Sequence, residues 1–204
     1  MDSQAYLDQI SASNSTASTG NKLFSSKIFK IGLIAIGALV LILIVGMLLG
    51  GSGDNLKNKI ISLKLHTANL STEISKYQSQ LKSSNLRSST ASLRGILDST
   101  ASTLSGHIKN VYGIKDNKEI DAKLTKKETD LSDKLEEDLF SAKINGLLDR
   151  TFASKMAYEI TYVTSKEKDI IKQSKNAEFK SSLESSLNSL NNLYNMFNNY
   201  SETR

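Results

Sequence analysis

Residues 56–81 read LKNKIISLKLHTANLSTEISKYQSQL, and the spacing of the apolar residues in this stretch decides the fold. Apolar side chains and one threonine recur at alternating intervals of four and three residues. This is the heptad pattern of an amphipathic or coiled-coil helix. The pattern comprises Leu56, Ile60, Leu63, Thr67, Leu70, Ile74, Tyr77 and Leu81. It predicts a long helix that buries one stripe against neighbouring helices.

The same helical period continues along the rest of the chain. Residues 83–85 interrupt it, Gly113 is the predicted C-terminal residue of a second helix, and residues 173–176 turn the chain into a last helix. Residues 118–145 are predicted to be helical but more polar, with a break near 128–130. No segment alternates with period two, and the chain has no proline. We therefore predict an all-α domain at residues 55–204, an antiparallel up-down bundle of about four long helices.

Upstream of this domain, the stretch Ile31–Leu49 contains nineteen residues without a charged or strongly polar side chain. A helix of that length spans about 28 Å, close to the hydrocarbon thickness of a bilayer. The stretch predicts an uncleaved transmembrane signal-anchor at residues 31–50, although Gly50 to Gly53 leave a cleaved signal peptide open as an alternative. The predicted span is represented by Ile31, Leu33, Ile34, Leu41 and Leu49.

The anchor divides the chain into segments of different composition. Residues 1–30 are rich in serine, threonine and asparagine and are predicted to be a mostly disordered cytoplasmic tail. Residues 51–54 are a glycine-rich hinge before the bundle. The lysines at positions 22, 27 and 30 favour an N-terminus inside the cell and a domain outside it. Gly46 and Gly50 fit a motif for helix self-association, and an easier exit from the membrane explains them equally well.

Composition excludes several kinds of chemistry. The chain contains no cysteine and two histidines, so disulfides, thiol nucleophiles and zinc sites are not expected. His66 and His107 are interpreted as surface or flanking residues, because neither belongs to a Glu-x-x-His pair of a di-metal bundle. The net charge of +5 is spread over interspersed residues, which argues against nucleic-acid binding. We predict no enzymatic activity, no cofactor and no metal.

Three smaller features bear on packing and partners. The glycines Gly95 and Gly106 lie within a predicted helix and suggest close approach of a neighbouring helix. The sequence Asp149-Arg150 is interpreted as an ion pair or as a link between helix surfaces. Near the C-terminus, apolar residues are interpreted either as core or as a partner-binding patch. The patch comprises Tyr194, Met196, Phe197 and Tyr200.

One set of residues in the second half of the domain comprises Asp149, Arg150, Phe152, Met156, Glu178, Phe179 and Lys180. On these residues, the second half of the domain resembles a group of exported ferritin-like four-helix domains. The resemblance implies a helical bundle fold. That group usually has a histidine one turn after the methionine, where this chain has Ile160, so no metal-linked role is carried over.

Together these features predict a non-enzymatic, single-pass protein of the cell envelope. It would present an interaction or structural domain outside the cell membrane. Its expected partners are the lipid bilayer and another envelope or membrane protein. The alternative is a sensory or ligand-binding bundle that acts through a separate membrane partner.

Overall fold

The computed structural model describes residues 56–115 and 117–200 of the chain. Within these residues the backbone is helical and contains no strand, which confirms the all-α prediction. Two short 3₁₀ turns, Gln78–Gln80 and Asn117–Glu119, lie in connections. The α-helices are α1 (Leu56–Tyr77), α2 (Ser84–Tyr112), α3 (Ala122–Ile144), α4 (Leu148–Gln173) and α5 (Ala177–Asn198). The described part thus has five long helices, one more than the expected four.

Local side-chain chemistry fixes where the helices begin and end. The Ser83 hydroxyl accepts a hydrogen bond from the backbone amide of Leu86 at the start of α2. The side chain of Asn176 accepts a hydrogen bond from the backbone amide of Phe179 at the start of α5. Such caps satisfy amides that have no partner within the helix. At the end of α2, Gly113 has a φ of 70° and its amide donates to the Lys109 carbonyl. The predicted C-terminal position of Gly113 is therefore confirmed.

Side-chain contacts show that the helices run alternately up and down. Lys59 near the start of α1 donates to Asp169 near the end of α4, so these helices are antiparallel. Ser89 in the first turns of α2 contacts Met196 near the end of α5, with the same implication. The helix α1 packs against α2, α3 and α4, and α5 packs against α2 and α4.

One continuous hydrophobic core joins the five helices. The apolar residues that recur at helical spacing in the sequence supply its side chains. Fully buried examples at 0% exposure are Ile60, Ile74, Leu93, Leu97, Leu104, Leu139, Phe152, Met156, Val163, Ile170 and Leu190. A core of this size, rather than helix propensity, is what holds such helices together in water.

Two glycines and one helix differ from expectation. No atom of a neighbouring element lies within 4 Å of where a Cβ on Gly95 or Gly106 would stand, so neither glycine mediates a close helix approach. The predicted break near residues 128–130 is also wrong, because α3 continues through it. Lys126 and Asp130 form an ion pair one turn apart across that position, which supports the helix there.

The predicted tail, the transmembrane stretch Ile31–Leu49 and the glycine-rich hinge lie outside the described residues. Among the helices of residues 56–115 and 117–200, none is both long and apolar enough to cross a bilayer.

Candidate functional site

A buried histidine held between two glutamates is the most unusual polar feature of the bundle. His66 on α1 donates from Nδ1 to Glu128 Oε2 on α3 at 3.1 Å, and from Nε2 to Glu159 Oε2 on α4 at 2.9 Å. The side chain of His66 is 9% exposed and that of Glu128 only 1%. This His66 cluster therefore links three helices inside the domain.

Neighbouring groups complete the cluster. The Ser62 hydroxyl donates to the second carboxylate oxygen of Glu128 at 2.5 Å. The Tyr162 ring lies against the imidazole of His66, with 4.5 Å between ring centroids. Lys166 places its ammonium 5.4 Å from the centroid of the Tyr162 ring. The cluster is thus enclosed by hydrogen bonds and by an aromatic wall.

The charges of the cluster follow from this enclosure. Burial lowers the pKa of His66, but the hydrogen bonds to Glu128 and Glu159 raise it more strongly, to a net value of about 9. Burial raises the pKa of Glu128, and the hydrogen bonds from His66 and Ser62 outweigh it, so the net shift is downward. At neutral pH His66 is therefore an imidazolium that donates to two carboxylates, and both of its nitrogens are occupied.

The hydrogen bonds of the cluster join α1 to α3 and to α4. Both nitrogens of His66 point at carboxylates. Within residues 56–115 and 117–200, no three His, Cys, Asp or Glu side chains are arranged to hold a metal ion.

A second buried carboxyl lies between α2, α4 and α5. The Oε1 atom of Glu167 accepts from the Ser186 hydroxyl at 2.7 Å, and Ser186 lies 2.8 Å from the Thr100 hydroxyl. Because the single Ser186 proton goes to Glu167, Thr100 donates to Ser186. The Oε2 atom of Glu167 is buried without a hydrogen-bond partner. Burial raises the pKa of this carboxyl to about 7.

A hydroxyl-rich groove of about 290 Å³ runs between α2 and α5. Ser186 and Thr100 lie in its wall. Ser186 donates directly to Glu167, and Thr100 is linked to Glu167 through Ser186. The groove is also lined by Ser92, Gly95, Ile96, Ser99, Thr103, Ser182, Leu183, Ser185 and Ser189. Gly95 keeps one side of the groove open.

Asp149 fastens the turn between α1 and α2. Its carboxylate accepts the backbone amides of Lys82 at 3.0 Å and Ser83 at 2.8 Å, and the Tyr200 hydroxyl at 3.4 Å. Asp149 is 6% exposed, whereas Arg150 is exposed to solvent. Asp149 thus joins the start of α4 to a neighbouring turn through backbone amides, a partner that the sequence reading did not consider.

The residues singled out in the sequence occupy different environments. Phe197 lies in the core at 1% exposure, whereas Met196 is 60% exposed. Tyr194 and Tyr200 are partly buried against the core. His107 stacks on Phe179 with 3.8 Å between ring centroids, as a flanking residue would.

The expectation for His66 was wrong, since it is buried, and sequence reasoning missed its two glutamates. A signal was present for one of them. Glu128 stands four residues after Leu124 and three before Leu131, on the seam that the leucines define. Glu167 occupies the equivalent place between Val163 and Ile170. A carboxylate among inward-facing apolar residues needs a buried partner. This rule could have identified Glu128 and Glu167 as buried carboxylates.

No protein-family profile matches this chain, and no curated protein or solved structure is similar to it. The function of the chain is therefore inferred from its own residues.

Proposed function

We propose that this chain is a non-enzymatic, single-pass membrane protein whose helical bundle serves as an interaction or structural domain outside the cell membrane. The observation that carries the proposal is the uninterrupted apolar stretch Ile31–Leu49, whose helical length of about 28 Å matches a bilayer. The lysines at positions 22, 27 and 30 on its N-terminal side support a cytoplasmic N-terminus.

The interior of the bundle supports a structural rather than a catalytic role. The His66 cluster is closed by neighbouring side chains, and Asp149 is occupied by backbone amides. A catalytic acid or base has to reach a substrate, whereas these groups hold helices together. Their geometry fits a domain that keeps its shape while it contacts a partner. Another envelope or membrane protein is the expected partner, and Gly46 and Gly50 offer a place for self-association in the bilayer.

Two measurements on cells test the anchor and its orientation. The protein should remain in the membrane pellet after extraction with alkaline carbonate, and release into the supernatant would overturn the anchor. The chain has no cysteine, so single cysteines can be placed without background. In intact cells an impermeant maleimide should label Ser181→Cys, which is exposed on α5, and should reach Ser13→Cys only after permeabilisation. The opposite pattern would reverse the orientation.

The groove between α2 and α5 favours a second candidate, a ligand-binding bundle that signals through a separate membrane partner. Ser186 in the wall of the groove donates to the Oε1 atom of Glu167, and the Oε2 atom of the same carboxyl is buried without a hydrogen-bond partner. Native mass spectrometry of the purified protein distinguishes the candidates. A small molecule retained by the wild type and lost in Gly95→Leu, which would fill the groove, supports the ligand-binding bundle. A protein of bare mass supports the structural one.

A further inference from the structure

Three large apolar side chains are exposed close together at the turn between α3 and α4. Phe140 is 55% exposed, Ile144 69% and Leu147 51%. Phe140 and Ile144 are one helical turn apart and share a face of α3, and Leu147 follows directly after the turn. Side chains of this size are usually buried in a bundle, and an exposed group of them is the kind of surface through which proteins contact partners or membranes.

The backbone of the turn holds Leu147 in place. Gly146 has a φ of 71°, and its amide donates to the Lys143 carbonyl at 3.1 Å. The amide of Leu147 donates to the Ala142 carbonyl at 2.8 Å. These two bonds form a Schellman motif, which ends α3 and folds the next residue back over its last turn. The exposed position of Leu147 is therefore set by hydrogen bonds.

The exposed charge of the turn is positive. Lys143 and Arg150 are both exposed and lie among or beside the apolar residues. The acidic residue of the turn, Asp149, is buried and engaged by the amides of Lys82 and Ser83. Glu137, one turn before Phe140, marks the limit of the positive region.

We propose that this apolar and cationic tip, formed by Phe140, Ile144, Leu147, Lys143 and Arg150, docks onto the surface of an anionic lipid bilayer. A stable protein interface covers about 800 Å² per partner, and three side chains supply only a fraction of that. A bilayer needs no extended matching surface, because each apolar side chain enters the headgroup region separately and each cation adds attraction to anionic lipids. The charge of the tip selects this occupant, and the inference does not depend on the proposed anchor.

The tip lies at the end of the bundle opposite Leu56. Asp149 at the start of α4 contacts Lys82 and Ser83 beside the start of α2, which places both turns at one end. Lys59 near the start of α1 contacts Asp169 near the end of α4, at the other end. When the tip contacts a bilayer, the opposite end of the bundle, where α1 begins, is not part of that contact.

The proposal is tested with the 204-residue chain while residues 31–49 are shielded inside a bilayer. It is incorporated into phosphatidylcholine nanodiscs and mixed with fluorescent vesicles of phosphatidylcholine alone or of phosphatidylcholine with phosphatidylglycerol. Flotation in a density gradient then measures the fraction of discs recruited to vesicles. We expect recruitment by the phosphatidylglycerol vesicles only. Equal recruitment by both kinds of vesicle, or by neither, would overturn the proposal.

Two sets of variants separate the apolar and charged contributions. The triple substitution Phe140→Ser, Ile144→Ser, Leu147→Ser should weaken recruitment at least roughly tenfold. Reversing the charge at Lys143 or Arg150 should weaken it about fivefold or more for each residue. The matched controls are Val111→Ser, which is 54% exposed at the other end of the bundle, and Lys134→Glu, which is exposed on α3. Undiminished recruitment in the triple variant would contradict the proposal, as would equal losses in the controls.

Two other outcomes identify a different occupant or a failed anchor. Discs that pair with each other through the tip, and stop doing so in the triple variant, would assign the tip to a second copy of the chain and overturn lipid docking. A chain that nanodiscs do not retain would overturn the anchor instead. It would then be mixed directly with the vesicles, and the same variants would decide whether the tip binds them.

Discussion

At the scale of single residues, the buried charges of the bundle act in opposite directions on stability. His66 is stabilised in its charged form because two glutamates accept its hydrogen bonds. Glu167 is destabilised in its charged form because burial removes its carboxylate from water, and one of its oxygens has no hydrogen-bond partner there. Both effects follow from the same low-dielectric interior, which strengthens a satisfied charge pair and penalises an unsatisfied charge.

The stability of the domain should therefore depend on pH through His66. The pKa of His66 is raised from 6.5 to about 9, so its contribution is fully present below pH 6.5 and is lost as pH rises through 9. Over that window the free energy of unfolding should fall by roughly 3 kcal/mol. His66→Gln should remove this slope, while His107→Gln should keep it. Chemical denaturation across this pH range gives the comparison, and parallel curves for wild type and His66→Gln would contradict it.

The titration of Glu167 should make the stability of the domain depend on pH over a second, lower range. Burial raises its pKa from 4.5 to about 7, so the neutral carboxyl favours the folded state fully below pH 4.5 and this contribution disappears as pH rises through 7. Glu167→Gln should be more stable than wild type above pH 7 by about 1–3 kcal/mol and nearly equal to it near pH 4.5. Thermal unfolding measures the difference. The exposed control Glu184→Gln should show no such gain, and a less stable Glu167→Gln at pH 8 would contradict the argument.

At the scale of secondary-structure elements, two glycines serve different purposes. Gly106 lies inside α2, and a Cβ there would meet no neighbouring side chain or element. Gly146 ends α3 in the left-handed region, with a φ of 71°. Gly106 therefore costs conformational entropy on folding although its position does not need a positive φ. Gly146 occupies a position where the positive φ favours glycine.

The two alanine substitutions should therefore have opposite signs. Gly106→Ala should raise the free energy of unfolding by about 0.5–1 kcal/mol, because alanine favours a helix interior. Gly146→Ala should lower it by about 1–2 kcal/mol, because a Cβ is strained in the left-handed conformation. Urea denaturation of the two variants measures both values, and a shift of the same sign in both would refute this reading of the turn.

The helical period predicted most of the elements from sequence, because burial of one stripe determines both the pattern and the fold. Leu93, Leu97 and Leu104 recur at the helical spacing along α2 and are fully buried. The break in α3 was predicted because Thr129 and Asp130 are favourable capping residues, but the helix continues through them. Whether such a residue caps or continues a helix depends on its neighbours, and here Asp130 pairs with Lys126.

The polar clusters were less accessible to sequence reasoning. The seam spacing marks Glu128 as an inward residue, but it does not name His66, which is 62 residues away, as its partner. That pairing depends on the register between α1 and α3, which the packing of the whole bundle sets. Asp149 is a similar case, because its two shortest hydrogen bonds come from the backbone amides of Lys82 and Ser83, which carry no sequence signal.

At the scale of the whole molecule, the single core joins all five helices, so the bundle should unfold as one unit. Among the five described helices α2 is the longest, and it packs against both α1 and α5. A charge inside it should consequently affect the entire domain rather than one helix.

Leu97→Asp tests this cooperativity. Leu97 has 0% exposure, and an unpaired carboxylate at its position should destabilise the bundle by several kcal/mol. Circular dichroism should then show loss of the cooperative melting transition. Val111→Asp, at an exposed position of the same helix, should stay within about 1 kcal/mol of wild type. Unchanged melting of Leu97→Asp would place that residue outside the core.

The odd number of antiparallel helices has a geometric consequence for any probe attached to this domain. Helix α1 begins at Leu56 at one end of the bundle, and helix α5 ends at Asn198 at the other end. With 22 residues in α1, the two ends are separated by about 33 Å. The bundle is thus a spacer of fixed length, and a fluorophore near Tyr200 reports on surroundings about one bundle length away from Leu56.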